Sequence, residues 1–147
     1  MLRQPREPNA PILTHSLIFR ITLVSFLMLG AAFWLFSWEL SGGATLAEAR
    51  TAAVNAFVMV ELFYLFNCRS LEKTAFQLGF FSNLWVLYGA VAMFLLQLAY
   101  TYLPVMNRLF QSAPVTLAVW GRIIAAGLVV FVMVEIEKWL WQKTGKN

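Results

Sequence analysis

One acidic residue stands inside a long apolar stretch of this sequence. Glu61 lies eleven residues after Arg50 and eight before Arg69. At about 1.5 Å per helical residue, these separations are roughly 16 Å and 12 Å. If the stretch crosses a bilayer, a carboxylate at that depth costs on the order of 2.5–3.5 kcal/mol. A proton, a cation or a polar partner must offset this cost, so Glu61 is the candidate ligand for a transported cation.

A structural role for Glu61 is the competing interpretation, in which a protonated carboxyl group hydrogen-bonds a neighbouring helix and serves packing alone. Its own helix offers no cage of ligands. Tyr64 supplies the one hydroxyl on the same face, and Asn55 and Asn67 lie about a third of a turn to either side. Calcium takes six or more oxygen ligands, so the remaining ligands must come from elsewhere. We favour the ligand role, because acids inside membrane spans are usually functional.

Other kinds of site are excluded by residue counts. Cys68 is the single cysteine and His15 the single histidine, and the sequence contains no aspartate. An internal disulfide, a histidine-based metal cluster and any mechanism that needs an aspartate are therefore ruled out. With no Gly-rich phosphate loop either, we predict no catalytic residue and no bound cofactor. The basic residues are scattered rather than clustered, which argues against nucleic acid as a partner.

The elements that must position Glu61 follow from the composition. Hydrophobic residues make up 61% of the 147 residues and charged residues 12%, against about 45–50% and about 25% in soluble domains. The chain is therefore predicted to be all-α and embedded in a lipid bilayer, as a polytopic antiparallel bundle of four transmembrane helices. A proline-rich segment (1–15) precedes the membrane domain (16–141) and a basic tail (142–147) follows it. The spans are predicted at about 16–38, 46–67, 80–103 and 117–141.

Local signals mark the helix ends. Gly42 and Gly43 follow the first apolar run and predict a break. Thr45 and Glu48 have the spacing of a capping box at the start of the second helix. Pro104 is expected to stop the third helix.

The remaining charged residues and glycines are expected to be structural. Arg20 and Arg122 are predicted to anchor helices at the membrane interface. Glu135 and Glu137 are predicted to pair with Lys138 or to bury against a neighbouring chain. Four glycines are expected to allow close contacts between helices: Gly30, Gly89, Gly121 and Gly127.

The distribution of basic residues predicts the topology. Four spans place both termini on one side, and that side carries eight basic residues against three on the other. Cytoplasmic loops carry the excess of Lys and Arg, so both termini are expected in the cytoplasm, with the chain in the plasma (inner) membrane. The eight are Arg3, Arg6, Arg20, Arg69, Lys73, Lys138, Lys143 and Lys146; the three are Arg50, Arg108 and Arg122.

Four collinear motifs resemble the carboxy-terminal membrane domain of cation-transporting P-type ATPases. They match, in order, the loop after the sixth helix, the eighth helix, the last outer loop and the end of the tenth helix. Gln4 departs from the paired prolines of the first motif, and Tyr64 stands where calcium pumps carry Asn. The motifs are Met1–Leu13, Ala49–Ala52 with Glu61–Ser70, Leu103–Phe110 with Ala113–Pro114, and Val134–Lys138.

The resemblance implies that the four spans correspond to helices seven to ten of such a pump. It places Glu61 on the eighth-helix acid that is a cation ligand in calcium pumps. The departure at Tyr64 leaves the cation open among calcium, sodium, magnesium and a proton. The family's phosphorylated Asp-Lys-Thr-Gly motif, its nucleotide and actuator domains and its first six helices have no counterpart here. We therefore expect no ATPase activity from this chain alone and expect a catalytic chain as its partner.

Two other interpretations of the sequence remain open. The chain could be a free-standing small membrane protein that modulates a full-length pump or assembles into an oligomeric cation pore lined by Glu61. It could also be a decaying gene product without function. A coding region that lies upstream and ends just after a sixth transmembrane helix would favour the pump.

Overall fold

The computed structural model describes residues 15–68 and 83–144, and within them every regular element is a helix. The proposed proline-rich segment up to residue 14, the loop with Arg69 and Lys73, and the end of the basic tail lie outside the described residues. Four of the helices are long and apolar enough to cross a membrane, which confirms the predicted fold class. The five helices are α1 (His15–Ser41), α2 (Leu46–Asn67), α3 (Leu84–Tyr102), α4 (Pro104–Phe110) and α5 (Leu117–Thr144).

A tight turn joins α1 to α2. Gly43 has a φ of +87°, a conformation that glycine adopts without steric cost. The predicted capping box is confirmed, because the Glu48 amide donates to Thr45 Oγ1 over 3.3 Å and the Thr45 amide donates to Glu48 Oε2 over 2.7 Å. These two bonds satisfy amides that have no partner inside the helix, so α2 begins at Leu46.

The second helix, α2, is the central element of the domain. It packs along α1 on one side and along α5 on another, and α1 also contacts α5. One apolar cluster includes Leu35 of α1, Ala52 and Ala56 of α2, and Ile123 of α5, all with no exposed surface. A second cluster joins the same three helices nearer the end where α1 begins: Val24, Val60, Val130 and Val134.

The third helix, α3, joins this core through polar groups. Gln97 Nε2 donates to Asn55 Oδ1 over 2.6 Å, and Asn55 Nδ2 donates to Thr101 Oγ1 over 3.1 Å. Such bonds hold helices together in a bilayer, where apolar side chains gain little by leaving lipid. Most of the rest of α3 is exposed, with Trp85 at 83%.

The connection between α3 and α5 corrects one detail of the sequence analysis. Pro104 not only follows the end of α3 but also opens α4, where it occupies the first helical position. The proline there lacks an amide that would have no helical partner in any case. The connection then returns to the bundle, because Trp120 Nε1 donates to Tyr102 Oη over 2.8 Å and Tyr102 Oη donates to the Val115 carbonyl over 2.9 Å.

The four glycines predicted at helix contacts have different surroundings. A methyl group at Gly127 would lie 2.6 Å from Cδ2 of Phe63 and 3.0 Å from Cγ of Met59, so this glycine permits the contact between α2 and α5. Within the described parts of the chain, a methyl group at the other three predicted contact glycines meets no atom within 4 Å. Of the four predicted close helix contacts, the described residues therefore form the one at Gly127 and not those at Gly30, Gly89 and Gly121.

Candidate functional site

Glu61 lies on the exposed face that α2 presents within the described part of the chain. Exposed residues recur along this helix at spacings of three or four, and they are Leu46, Arg50, Val54, Phe57 and Glu61. Such spacings place side chains on one face of a helix. The other faces carry the residues that are buried against α1, α3 and α5. We call the uncovered stripe from Arg50 to Glu61 the open face of α2.

The carboxylate of Glu61 has no hydrogen bond or ion pair with any residue that the structure describes. The neighbours considered from the sequence point elsewhere. Asn55 is fully buried and bonds α3, while Asn67 is fully buried and donates to the Phe131 carbonyl over 3.3 Å. Tyr64 is partly buried and packs against the valine cluster. The structure therefore brings none of these three side chains to Glu61.

A complete metal site is not formed by the described residues. They contain no group of three or more His, Cys, Asp or Glu side chains that could hold an ion. One carboxylate supplies at most two oxygen atoms, whereas calcium takes six to eight. A cation bound at Glu61 would need its other ligands from groups that approach the open face from outside the described chain.

Arg20 is not a simple interfacial anchor, which corrects the sequence analysis. Its Nε donates to Oε2 of Glu137 over 3.1 Å and its Nη2 donates to Oε1 over 3.3 Å. The two side chains are only 6% and 8% exposed. This two-pronged pair joins the start of α1 to the end of α5. Glu137 was predicted to pair with Lys138 or with another chain, and that prediction was wrong.

Arg122 likewise forms an ion pair that the sequence analysis missed. Its Nε donates to Oε1 of Glu39 over 2.7 Å, and its Nη2 donates to Oε2 over 3.0 Å. This pair joins the end of α1 to the start of α5. A signal for both pairs was present in the sequence, because each consists of opposite charges on spans whose ends share one side of the membrane.

Lys138 is also buried, with 2% of its surface exposed. Its Nζ donates to the backbone carbonyl of Asn67, and it lies 3.9 Å from Oε1 of Glu135. The last carbonyls of a helix have no partner inside it, and a cation there also interacts favourably with the helix dipole. Lys138 therefore caps α2 from α5. The predicted pairing of Lys138 with Glu135 is confirmed at this longer distance.

Comparison with known proteins identifies the kind of membrane domain. Residues 1–140 match the family described as "Cation transporting ATPase, C-terminus". The chain belongs to this family. It is 50% identical over 137 residues to the Probable cation-transporting ATPase F of Mycobacterium tuberculosis, covering 93% of this chain and 15% of that protein. The resemblance seen in the sequence is thereby confirmed.

Other relatives in this cation-transporting ATPase family are more distant. The mouse Calcium-transporting ATPase type 2C member 2 is 33% identical over 144 residues, covering 96% of this chain and 15% of that protein. The Cation-transporting ATPase pma1 of Synechocystis is 33% identical over 129 residues, covering 82% of this chain and 14% of that protein. The chain therefore spans about one seventh of the length of these relatives, and it corresponds to their carboxy-terminal membrane portion.

Proposed function

We propose that this chain completes the membrane domain of a cation-transporting P-type ATPase and contributes Glu61 to the transported-cation site. The observation that carries the proposal is the position of Glu61 on the open face of α2, without a partner among the described residues. The chain supports the transport core as one part of a pump, and the ATP chemistry belongs to the remainder of that pump.

The free-energy cost of placing a carboxylate in hydrocarbon indicates that the open face contacts protein rather than lipid in the assembled pump. A carboxylate that faced hydrocarbon would carry an uncompensated penalty of roughly 2.5–3.5 kcal/mol. Helices of a catalytic chain that pack on the open face would remove Glu61 from lipid and could bring further oxygen ligands to it. That catalytic chain, with the first six helices and the cytoplasmic domains, is the partner we propose.

The transported ion belongs to the class of cations that oxygen ligands bind, and we propose calcium, sodium, magnesium and a proton as candidates. Calcium is the first to test, because the mouse relative is named a calcium-transporting ATPase. Tyr64 offers a hydroxyl one turn from Glu61, although it packs toward the valine cluster. In this assembly both termini lie in the cytoplasm and the chain resides in the plasma (inner) membrane, in accordance with its charge distribution.

A chimeric pump tests the proposal directly. This chain replaces the matching region of the Mycobacterium tuberculosis relative, and ATPase activity is measured against the concentration of each candidate cation. Glu61→Gln keeps the size of the side chain and removes its charge, so we expect weaker activation by the transported cation at unchanged assembly. Glu48→Gln is the matched control on the same helix, because glutamine also serves at that position of a capping box.

The outcomes separate the two roles of Glu61. A ligand role predicts that Glu61→Gln and Glu61→Ala both weaken cation activation while Glu48→Gln does not. A purely structural role predicts a silent Glu61→Gln and a loss of folded protein with Glu61→Ala. A Gln variant with the cation dependence of the unmodified chimera would overturn the proposal.

A further inference from the structure

The contact between α2 and α5 lies opposite Glu61. Met59 and Phe63, whose side chains approach Gly127, are each two residues from Glu61. At about 100° per residue, their side chains leave the helix at roughly 160° and 200° from that of Glu61. The direction from the α2 axis toward Gly127 is thus the reverse of the direction toward the open face.

Side chains of α2 occupy the space that a side chain at position 127 would need. A methyl carbon there would lie 2.6 Å from Cδ2 and 2.9 Å from Cε2 of Phe63. The Phe63 ring also packs against the Phe131 ring, with centroids 6.1 Å apart and planes tilted by 60°, and Phe131 is only 7% exposed. The ring of Phe63 is therefore held between the backbone of α5 and a second buried ring. A larger residue at 127 must displace this ring, separate the two helices or turn α2.

We infer that Gly127 is a positioning residue for Glu61. The notch formed by the absent side chain of Gly127 receives Phe63 and Met59 and sets the rotation of α2 about its own axis. With that rotation, Glu61 lies on the open face. The inference rests on the proposed function for its effect on cations, because Gly127 acts on the ion only through the placement of the Glu61 carboxylate.

The sequence of α2 alone leaves this rotation undetermined. Apolar side chains occur on every face of α2. In a bilayer, an apolar helix face gains little by turning from lipid toward protein. Specific contacts must then select one rotation, and they include the hydrogen bonds of Asn55 to α3 as well as close packing. The notch at Gly127 is such a contact, since among the glycines on the described helices it is the one at which a methyl group would meet another helix.

The test compares two identical substitutions on α5 in the chimeric pump. Gly127→Ala fills the notch, and Gly121→Ala is the matched control because a methyl group there meets no atom of the described chain within 4 Å. We expect Gly127→Ala to raise the cation concentration for half-maximal ATPase activation by roughly tenfold, the lower end of what loss of a group supporting a metal ligand costs. The maximal rate at saturating cation should be retained. Phe63→Leu combined with Gly127→Ala should restore activation, because the smaller side chain vacates the space that the methyl group needs.

A second measurement reads the rotation without any pump activity. In a Cys68→Ser background of this chain, single cysteines from position 54 to position 65 carry a nitroxide label, and oxygen collision rates are measured in liposomes. We expect a helical periodicity with maxima at positions 54, 57 and 61. Gly127→Ala should shift the maxima to neighbouring positions or flatten them, whereas Gly121→Ala should leave them in place.

The results distinguish this inference from the proposed function. If Glu61→Gln weakens cation activation while Gly127→Ala matches Gly121→Ala in both activation and label periodicity, the positioning role is overturned and the function stands. If Gly127→Ala shifts the periodicity and Glu61→Gln leaves activation unchanged, the notch orients α2 but the ligand role is overturned. An unshifted periodicity overturns the inference even when the chimera has no activity.

Discussion

Arg20 and Glu137 are 117 residues apart in the sequence, and their side chains form a buried two-pronged ion pair between the first and last helices. The same two helices carry the reverse arrangement at their other ends, where Glu39 of α1 pairs with Arg122 of α5. Each helix therefore presents a cation at one end and a carboxylate at the other. Only the antiparallel arrangement brings opposite charges together at both ends, so the two pairs specify the orientation of α5 against α1.

Loss of one partner of the Arg20 pair should be strongly destabilising. Arg20→Ala or Glu137→Ala leaves one buried charge without its counterion, and we expect a loss of about 3–5 kcal/mol in the free energy of unfolding. Denaturant unfolding of the purified chain in detergent measures this change, with the exposed Arg50→Ala as the control. The exchange Arg20→Glu with Glu137→Arg should recover part of the loss. Equal stability of Arg20→Ala and Arg50→Ala would contradict the prediction.

The Arg122 pair should contribute less than the Arg20 pair. The Arg122 side chain is 34% exposed, against 6% for Arg20, so water or lipid headgroups can solvate part of its charge. We expect Glu39→Ala, which leaves the partly solvated Arg122 unpaired, to lower the free energy of unfolding by about 1–2 kcal/mol, within the range for a lost hydrogen-bonded partner. The same unfolding assay applies. A loss larger than that of Glu137→Ala, which leaves the buried Arg20 unpaired, would show that exposure does not rank these two pairs.

The polar contact between α2 and α3 should be measurable as a coupling energy. Asn55 bonds both Gln97 and Thr101, and hydrogen bonds between transmembrane helices contribute about 0.6 kcal/mol on average and up to about 1.7 kcal/mol. Asn55→Leu and Thr101→Val should each destabilise the chain, and the double variant should lose less than the sum of the two. Strictly additive losses would mean that the bond does not contribute to stability. Val54→Leu on the open face of α2 is a suitable control.

The orientation of the chain in the membrane can be tested with reporter fusions. We expect a reporter at Asn147 to be active in the cytoplasm and one inserted between Gly42 and Gly43 to be active on the other side. The reason is the eight-to-three distribution of basic residues. A reporter at Asn147 that is active outside the cytoplasm would contradict the predicted topology. A reporter between Gly42 and Gly43 that is active in the cytoplasm would contradict the prediction that the first helix spans the membrane.

The sequence by itself determined the features that depend on local chemistry. Hydropathy over about twenty residues is sufficient to indicate a transmembrane helix, because the bilayer sets the required length. The capping box at Thr45 and Glu48 was predicted from spacing alone, since its partners are three residues apart and the geometry of a helix start brings them together. The position of Glu61 within the second apolar run likewise followed from counting residues.

Only the tertiary structure decided which partners meet across helices. Arg20 was predicted to be an anchor and Glu137 a partner of Lys138, because the sequence shows charges and their approximate depth but not which helices are neighbours. Of four candidate contact glycines, Gly127 alone meets another helix within the described chain. The direction of Glu61 was equally undetermined. A helix that is apolar on nearly all sides has no polar stripe to indicate its rotation in a bilayer, so its rotation depends on close contacts such as the one at Gly127.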